Sequence, residues 1–252
     1  MLDDEKKLRE RLKSNPKDAN AHNELGVLLA ASGRHDEAMN EFKKAIEINP
    51  NFVDARLNLG NLFYELGKYN MAEKEYRKVI ELNPNDVDAH NNLALLLAEL
   101  GKTSEAENEY RKALKINPNY ARAHNNFGLL LHQIGKLREA EVEFRKAIEL
   151  DPKYAIAHYN LANLLKDLNR LEETEVELRK TIELDPNMAD AHNNLGILLA
   201  MSERYADAEI EFRKAIELNP KDPEMHANLG RLLEILGRRK EAEAEFKKAG
   251  LR

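Results

Sequence analysis

The chain has 252 residues, 42% of them apolar and 33% charged, and 39 Lys+Arg stand against 45 Asp+Glu for a net charge of −6. An acidic balance gives no general attraction to nucleic acid or anionic lipid, and the apolar fraction is too high for a disordered chain. With no Cys, disulfides, thiolate metal sites and cysteine nucleophiles are excluded.

The opening stretch, Met1 to Lys7, lacks the apolar core of a secretory leader, and no apolar run nears the ~20 residues that span a bilayer. The expectation is a cytoplasmic protein with no membrane partner. From Pro16 onward, proline recurs at 50, 84, 118, 152, 186 and 220, always in steps of 34. Ten of the eleven glycines fall on two phases of that step, as in Gly26 and Gly60 or Gly33 and Gly67. The chain is therefore a repeat array and not one or two globular domains. Its expected division is a half-repeat helix over 1–18, six repeats over 19–52, 53–86, 87–120, 121–154, 155–188 and 189–222, and a seventh over 223–252.

Within a repeat numbered from Ala19, apolar residues at positions 3, 7, 10, 11 and 14, such as Ala89, Leu93, Leu96, Leu97 and Leu100, have the spacing of one helix face. Position 15 is Gly in five repeats and Asn169 in another, residues that tolerate the left-handed turn closing a helix. Glu203 is the exception and predicts a strained turn. A second amphipathic helix follows, with apolar positions 20, 24, 27, 28 and 30, such as Ala140, Phe144, Ala147, Ile148 and Leu150, and Pro at 32 stops it. Small residues at positions 8 and 20 let the two helices approach, and an aromatic at 24 fills the space beside them. The fifth repeat departs most, with Asn169, Thr174, Leu178 and Thr181, and is expected to be the least stable.

Large apolar residues at 7 and 11, Gly or Ala at 8, Ala at 20 and 27, an aromatic at 24 and Pro at 32 together resemble the tetratricopeptide repeat, over essentially the whole chain. Position 4, most often Trp in that family, is here His22, Arg56, His90, His124, His158, His192 and His226. The resemblance implies an all-α, right-handed superhelical solenoid, nearly one turn for seven repeats, with the first helix of each pair lining a concave groove.

Positions 2, 5, 6, 9 and 13 share a face distinct from the apolar stripe, and in the family these and position 12 look into the groove. Position 6 is Asn58, Asn92, Asn126, Asn160, Asn194 and Asn228, after Glu24 in the first repeat. A side-chain amide offers donors and an acceptor, so such a ladder can hold an extended peptide backbone bidentately. It is similar to the asparagine ladder of O-linked N-acetylglucosamine transferase arrays. The same amides can instead bond to neighbouring helices. The further groove candidates are Asn91, Asn125, Tyr159 and Asn193 at position 5, Asn61, Leu95, Leu129 and Asn163 at position 9, and Tyr64 at position 12. Over the six groove positions nine residues are acidic (Glu24, Asp54, Glu65, Asp88, Glu99, Asp167, Asp190, Glu224, Glu234) and three basic (Arg122, Lys166, Arg231). That surplus points to a neutral or basic peptide.

No repeat has Lys at position 5 or Arg at position 6, so the clamp by which family members grip chaperone tails is not expected. The six position-4 histidines sit on helices roughly 10 Å apart, too far to share a zinc ion, and no metal or other cofactor is expected. Glu at position 23, three residues before a basic residue, reads as part of a solvated, self-neutralising face. No catalytic constellation stands outside the periodicity. The expected function is a non-enzymatic scaffold binding an extended protein segment. The alternatives are a self-associating protein joined through its terminal repeats, where Leu2, Leu8, Leu12, Phe246 and Leu251 lack a covering repeat, or the substrate-presenting part of a larger enzyme.

Overall fold

The computed structural model describes residues 2–251; Met1, Arg252 and the side chain of Leu2 lie outside the described residues. The described residues form fifteen α-helices and no strand. After α1 (Leu2–Ser14), the first helices of successive pairs are α2 (Ala19–Ala31), α4 (Val53–Glu65), α6 (Val87–Glu99), α8 (Ala121–Gln133), α10 (Ala155–Asp167), α12 (Ala189–Met201) and α14 (Pro223–Ile235). The second helices are α3 (His35–Ile48), α5 (Tyr69–Leu82), α7 (Thr103–Ile116), α9 (Leu137–Leu150), α11 (Leu171–Leu184), α13 (Tyr205–Leu218) and α15 (Arg239–Lys248).

The chain forms two compact units, Met1–Ala123 and His124–Arg252. In the first, α1 packs on α2, the pairs α2–α3, α4–α5 and α6–α7 pack internally, and α3–α4 and α5–α6 join one pair to the next. In the second, α10 packs on both α9 and α11, and the same alternation runs on through α15. Each unit is an all-α solenoid, in which one helix pair buries its faces against the next.

Each pair closes through a residue with positive φ, which lets the chain reverse within three residues. At Gly33 φ is 76°, and the Arg34 N–H returns to the Leu29 carbonyl at 2.9 Å. This Schellman closure satisfies the helix's last carbonyls. Asn169 (φ 56°) and Glu203 (φ 60°) adopt the same conformation, and Arg170 and Arg204 make the same 2.9 Å returning bond. Glu203 therefore holds a left-handed backbone that costs a side-chain-bearing residue about 1–2 kcal/mol.

The core of a pair is set by the small residue at position 8. A Cβ added to Gly196 would stand 2.7 Å from the Phe212 ring, so at this pair the missing side chain makes room for the aromatic. In the fifth repeat Ala162 and Leu178 occupy the same two places in one buried cluster, whereas the third repeat keeps an aromatic, Tyr110, with Ala94, both buried. The two threonines of that repeat are buried, but their hydroxyls donate to the Arg170 and Glu177 carbonyls at 3.0 and 2.9 Å, so neither carries an unsatisfied group. At the last helix Phe246 is half-buried against the core cluster, while Leu251 is 48% exposed.

Candidate functional site

The position-6 asparagines tie one repeat to the one before it. In the first unit Asn58 donates through Nδ2 to Asn23 Oδ1 at 3.0 Å, and Asn92 donates to Asn61 Oδ1 at 2.9 Å. In the second, Asn160 donates to Asn125 (2.9 Å), Asn228 to Asn193 (3.0 Å), and Asn194 to both Asn163 (3.0 Å) and the Tyr159 hydroxyl (3.2 Å). The bond to neighbouring helices, one of the two roles open to these amides, is thus present. Asn91, Asn125 and Asn193 are buried, and the first two donate to the adjoining Asn92 and Asn126 at 3.0 and 3.3 Å. The position-6 amides, Asn61, Asn163, Tyr64, Tyr159, Leu95 and Leu129 are all half-buried.

In the first unit Asn61, Tyr64, Glu65, Tyr76, Asn92, Leu95 and Arg122 line one recess of about 280 Å³. Tyr76 reaches it from the second helix, donating to Asn61 Oδ1 at 2.9 Å. The Tyr64 hydroxyl donates to Glu99, and its ring lies 5.8 Å from that of Tyr69. Burial, together with the Glu99 carboxylate, pushes the Tyr64 hydroxyl's pKa well above its ordinary value, so it remains a donor. Several groove acids have partners: Asp88 takes Arg122 at 2.7 Å, and Asp167 takes His132 at 2.8 Å. Asp54, Glu65, Asp190, Glu224 and Glu234 are exposed.

The position-4 residues form a second periodic system, and here Glu at position 23 has a different role from the one its spacing suggests. Each histidine Nδ1 lies 2.5–2.6 Å from the Glu 19 residues on: Glu41, Glu109, Glu143, Glu177, Glu211 and Glu245. Nε2 of His22, His90, His158, His192 and His226 meets the carbonyl of the preceding proline at 3.0–3.2 Å. A carbonyl only accepts, so an Nε2 bonded there carries a proton, and for His158 and His192 the carboxylate favours a second proton at Nδ1. Arg56 confirms the logic, bonding Glu75 at 2.8 Å and the Pro50 carbonyl at 2.9 and 3.0 Å. Glu at 23 is thus drawn inward, although Lys44, Lys112 and Lys248 still reach Glu41, Glu109 and Glu245 at 2.7–2.8 Å. The signal available in the sequence was the joint recurrence of positions 4 and 23. Among the described residues no group of His, Asp and Glu is placed to hold a metal ion.

Burial opposes charge on His158, but Glu177 and the Pro152 carbonyl outweigh it and hold the pKa above the ordinary 6.5; Glu211 raises His192 likewise. A raised pKa adds stability that is complete below 6.5 and lost as pH rises through the folded-state value. For Glu41, Glu109 and Glu245 burial is outweighed by the neighbouring lysine and histidine, which depress the pKa below 4.5. Their contribution is present above 4.5 and lost as pH falls through the folded value. Thermal stability is therefore expected to be greatest between these limits and to fall toward pH 8. His158→Arg/His192→Arg, which copies Arg56, is expected to reduce the alkaline fall, as melting curves from pH 5 to 8 would show. An unchanged fall would mean that these imidazoles are neutral.

A family model described as TPR repeat matches residues 28–67, 60–101, 95–135 and 128–169, and models described as Tetratricopeptide repeat match 155–188, 189–222 and 211–244. The chain belongs to the tetratricopeptide-repeat family. No curated protein matches it. Among solved structures, it resembles a chain of the APC/C hetero-tetramer Cut9–Hcn1 at 18% identity and TM-score 0.81, covering 91% of this chain. It spans 46% of that chain, less than half its length. Pseudomonas aeruginosa pilF matches at 24% identity and TM-score 0.72, over 77% of this chain and 88% of its own. YrrB, described as a TPR protein with an unusual peptide-binding site, matches at 23% and 0.55, over 78% and 97%. At these identities the likeness is one of fold. Tetratricopeptide repeats mark the chain as a protein–protein interaction scaffold, on a fold that typically carries no catalysis. None of its helices is long and apolar enough to cross a membrane, among the described residues.

Proposed function

We propose that this tetratricopeptide protein holds an extended, neutral or basic segment of a partner protein against the wall of its first helices, with its repeats (six of 34 residues and a seventh over 223–252) as the units of recognition. The observation that carries the reading is the half-committed state of the position-6 amides. Asn58 and Asn160 each spend one N–H on the preceding repeat. That bond orients the amide, while no donor to Oδ1 of Asn58, Asn160 or Asn194 is found among the described residues. A pre-oriented amide loses little entropy on binding a peptide group. Buried Asn125 and Asn193 serve by holding Asn160 and Asn228, while Leu95, Leu129, Tyr64 and Tyr159 add apolar contact. Exposed Asp54, Glu65, Asp190, Glu224 and Glu234 disfavour an acidic segment. YrrB's peptide-binding site makes peptide the first ligand class to test.

The test is a peptide-library screen of the wild type against Asn58→Ala/Asn160→Ala, after both are shown to melt alike. Neutral and basic extended peptides should bind the wild type and lose at least about tenfold in affinity to the variant. Equal capture by both proteins would remove the asparagines from the site.

A further inference from the structure

On the second helices, a cluster of four charged positions closes the junction between consecutive repeats. Glu at position 21 is its centre. Glu141 accepts from Arg145 on its own helix at 2.9 Å and from Arg170 of the next repeat at 2.7 Å, and both arginines also reach Glu173 at position 19. Glu209 repeats the arrangement with Arg213, Arg238 and Glu241. In the first unit Glu5 takes Arg9 and Arg34, and Glu73 takes Arg77 and Lys102. The same backbone positions therefore bring residues 21 and 25 of one repeat beside residues 16 and 19 of the next.

Between the first and second repeats those four positions hold Met39, Lys43, Lys68 and Met71. Both acids have become methionine while both bases are kept. Met71 is 53% exposed, Met39 is half-buried, and both lysines are exposed. Neither Lys43 nor Lys68 makes an ion pair among the described residues, whereas the corresponding bases at the other junctions named above all do. Lys68 and Met71 also border a recess of about 450 Å³ that runs past Tyr69 to Leu100, itself 37% exposed.

We infer that this junction is a docking surface for an acidic, amphipathic segment of a partner protein. Two unneutralised ammonium groups flank two thioethers, and unbranched methionines adapt to varied apolar side chains. The partner carboxylates would take the places that Glu occupies at the other junctions, with a leucine or phenylalanine against Met71 and Leu100. Two lysines on a chain of net charge −6 are too few for anionic lipid, which calls for clusters of about 4–8 basic residues. The preference is opposite in sign to that of the asparagine wall and independent of it.

The probe is a displayed library of peptides rich in Asp, Glu, Leu and Phe, offered to the full chain. Wild type is expected to capture acidic-apolar peptides, with affinity falling as salt is raised. Met39→Glu/Met71→Glu, which rebuilds the charge cluster of the other junctions, should melt no lower than wild type and lose at least about tenfold in affinity. Lys43→Ser/Lys68→Ser, which leaves the methionines, should lose binding too, whereas Asn58→Ala/Asn160→Ala should keep it. Failure of wild type to capture such peptides, or equal capture by the Met→Glu variant, would overturn the assignment. Capture lost in the asparagine variant but kept in the Met→Glu variant would move the acidic ligand to the first-helix wall, overturning this proposal and the charge preference given above.

Discussion

Glu109→Ala is expected to lower the unfolding free energy by about 1–3 kcal/mol, because it leaves a buried ring nitrogen of His90 without its hydrogen-bond partner. His90 is 3% exposed, and its only charged partner at hydrogen-bond distance among the described residues is Glu109, at 2.6 Å. Its other nitrogen is committed to the Pro84 carbonyl at 3.0 Å, so the ring cannot turn to water without breaking that bond as well. Glu109 also neutralises Lys112 at 2.8 Å, a minor effect since that ammonium is exposed. The control is Glu81→Ala, which breaks an exposed pair with Lys78 and should change stability by no more than about 0.5 kcal/mol. Urea denaturation of both variants measures the difference, and similar small losses would show that the histidine–glutamate pair is not a structural bolt.

Phe212→Ala is expected to cost about 3–5 kcal/mol, while Phe212→Leu should cost about 1 kcal/mol. The ring is 2% exposed and lies over Gly196, whose missing Cβ makes its room, so truncation opens a cavity that two rigid helix backbones cannot close. Leucine is milder because the fifth repeat already carries Leu178 at this position, opposite Ala162. In a solenoid the loss spreads only to neighbouring repeats, so the expected signature is a broadened unfolding transition as well as a lower midpoint. Equal costs for alanine and leucine would mean that the cavity collapses.

The structure bears on the acidic groove as well. Of the nine acids counted there, Asp88 and Asp167 are matched by Arg122 and His132, and Glu99 accepts from Tyr64. The acids left without such partners keep the sign of the proposed preference but lower its strength.

Local spacing in the sequence determined the helices, their turns and their small-against-aromatic packing. A helix has one geometry, so apolar residues three and four apart define its buried face, and a glycine or asparagine at a fixed phase marks where it closes. Glu203 in the left-handed turn follows from the same period, since the chain must reverse there whatever residue it carries. Tertiary structure alone decided which side chains meet across helices. Asn58 reaches Asn23, Asn92 reaches Asn61, and His90 reaches Glu109 at separations of 35, 31 and 19 residues, which no single-helix rule connects. Such pairings depend on the crossing angle and offset of packed helices, and a 34-residue period is compatible with many of these. For the same reason Met39 and Met71 come together as one surface only through the convergence of positions 16, 19, 21 and 25 that the charged junctions display.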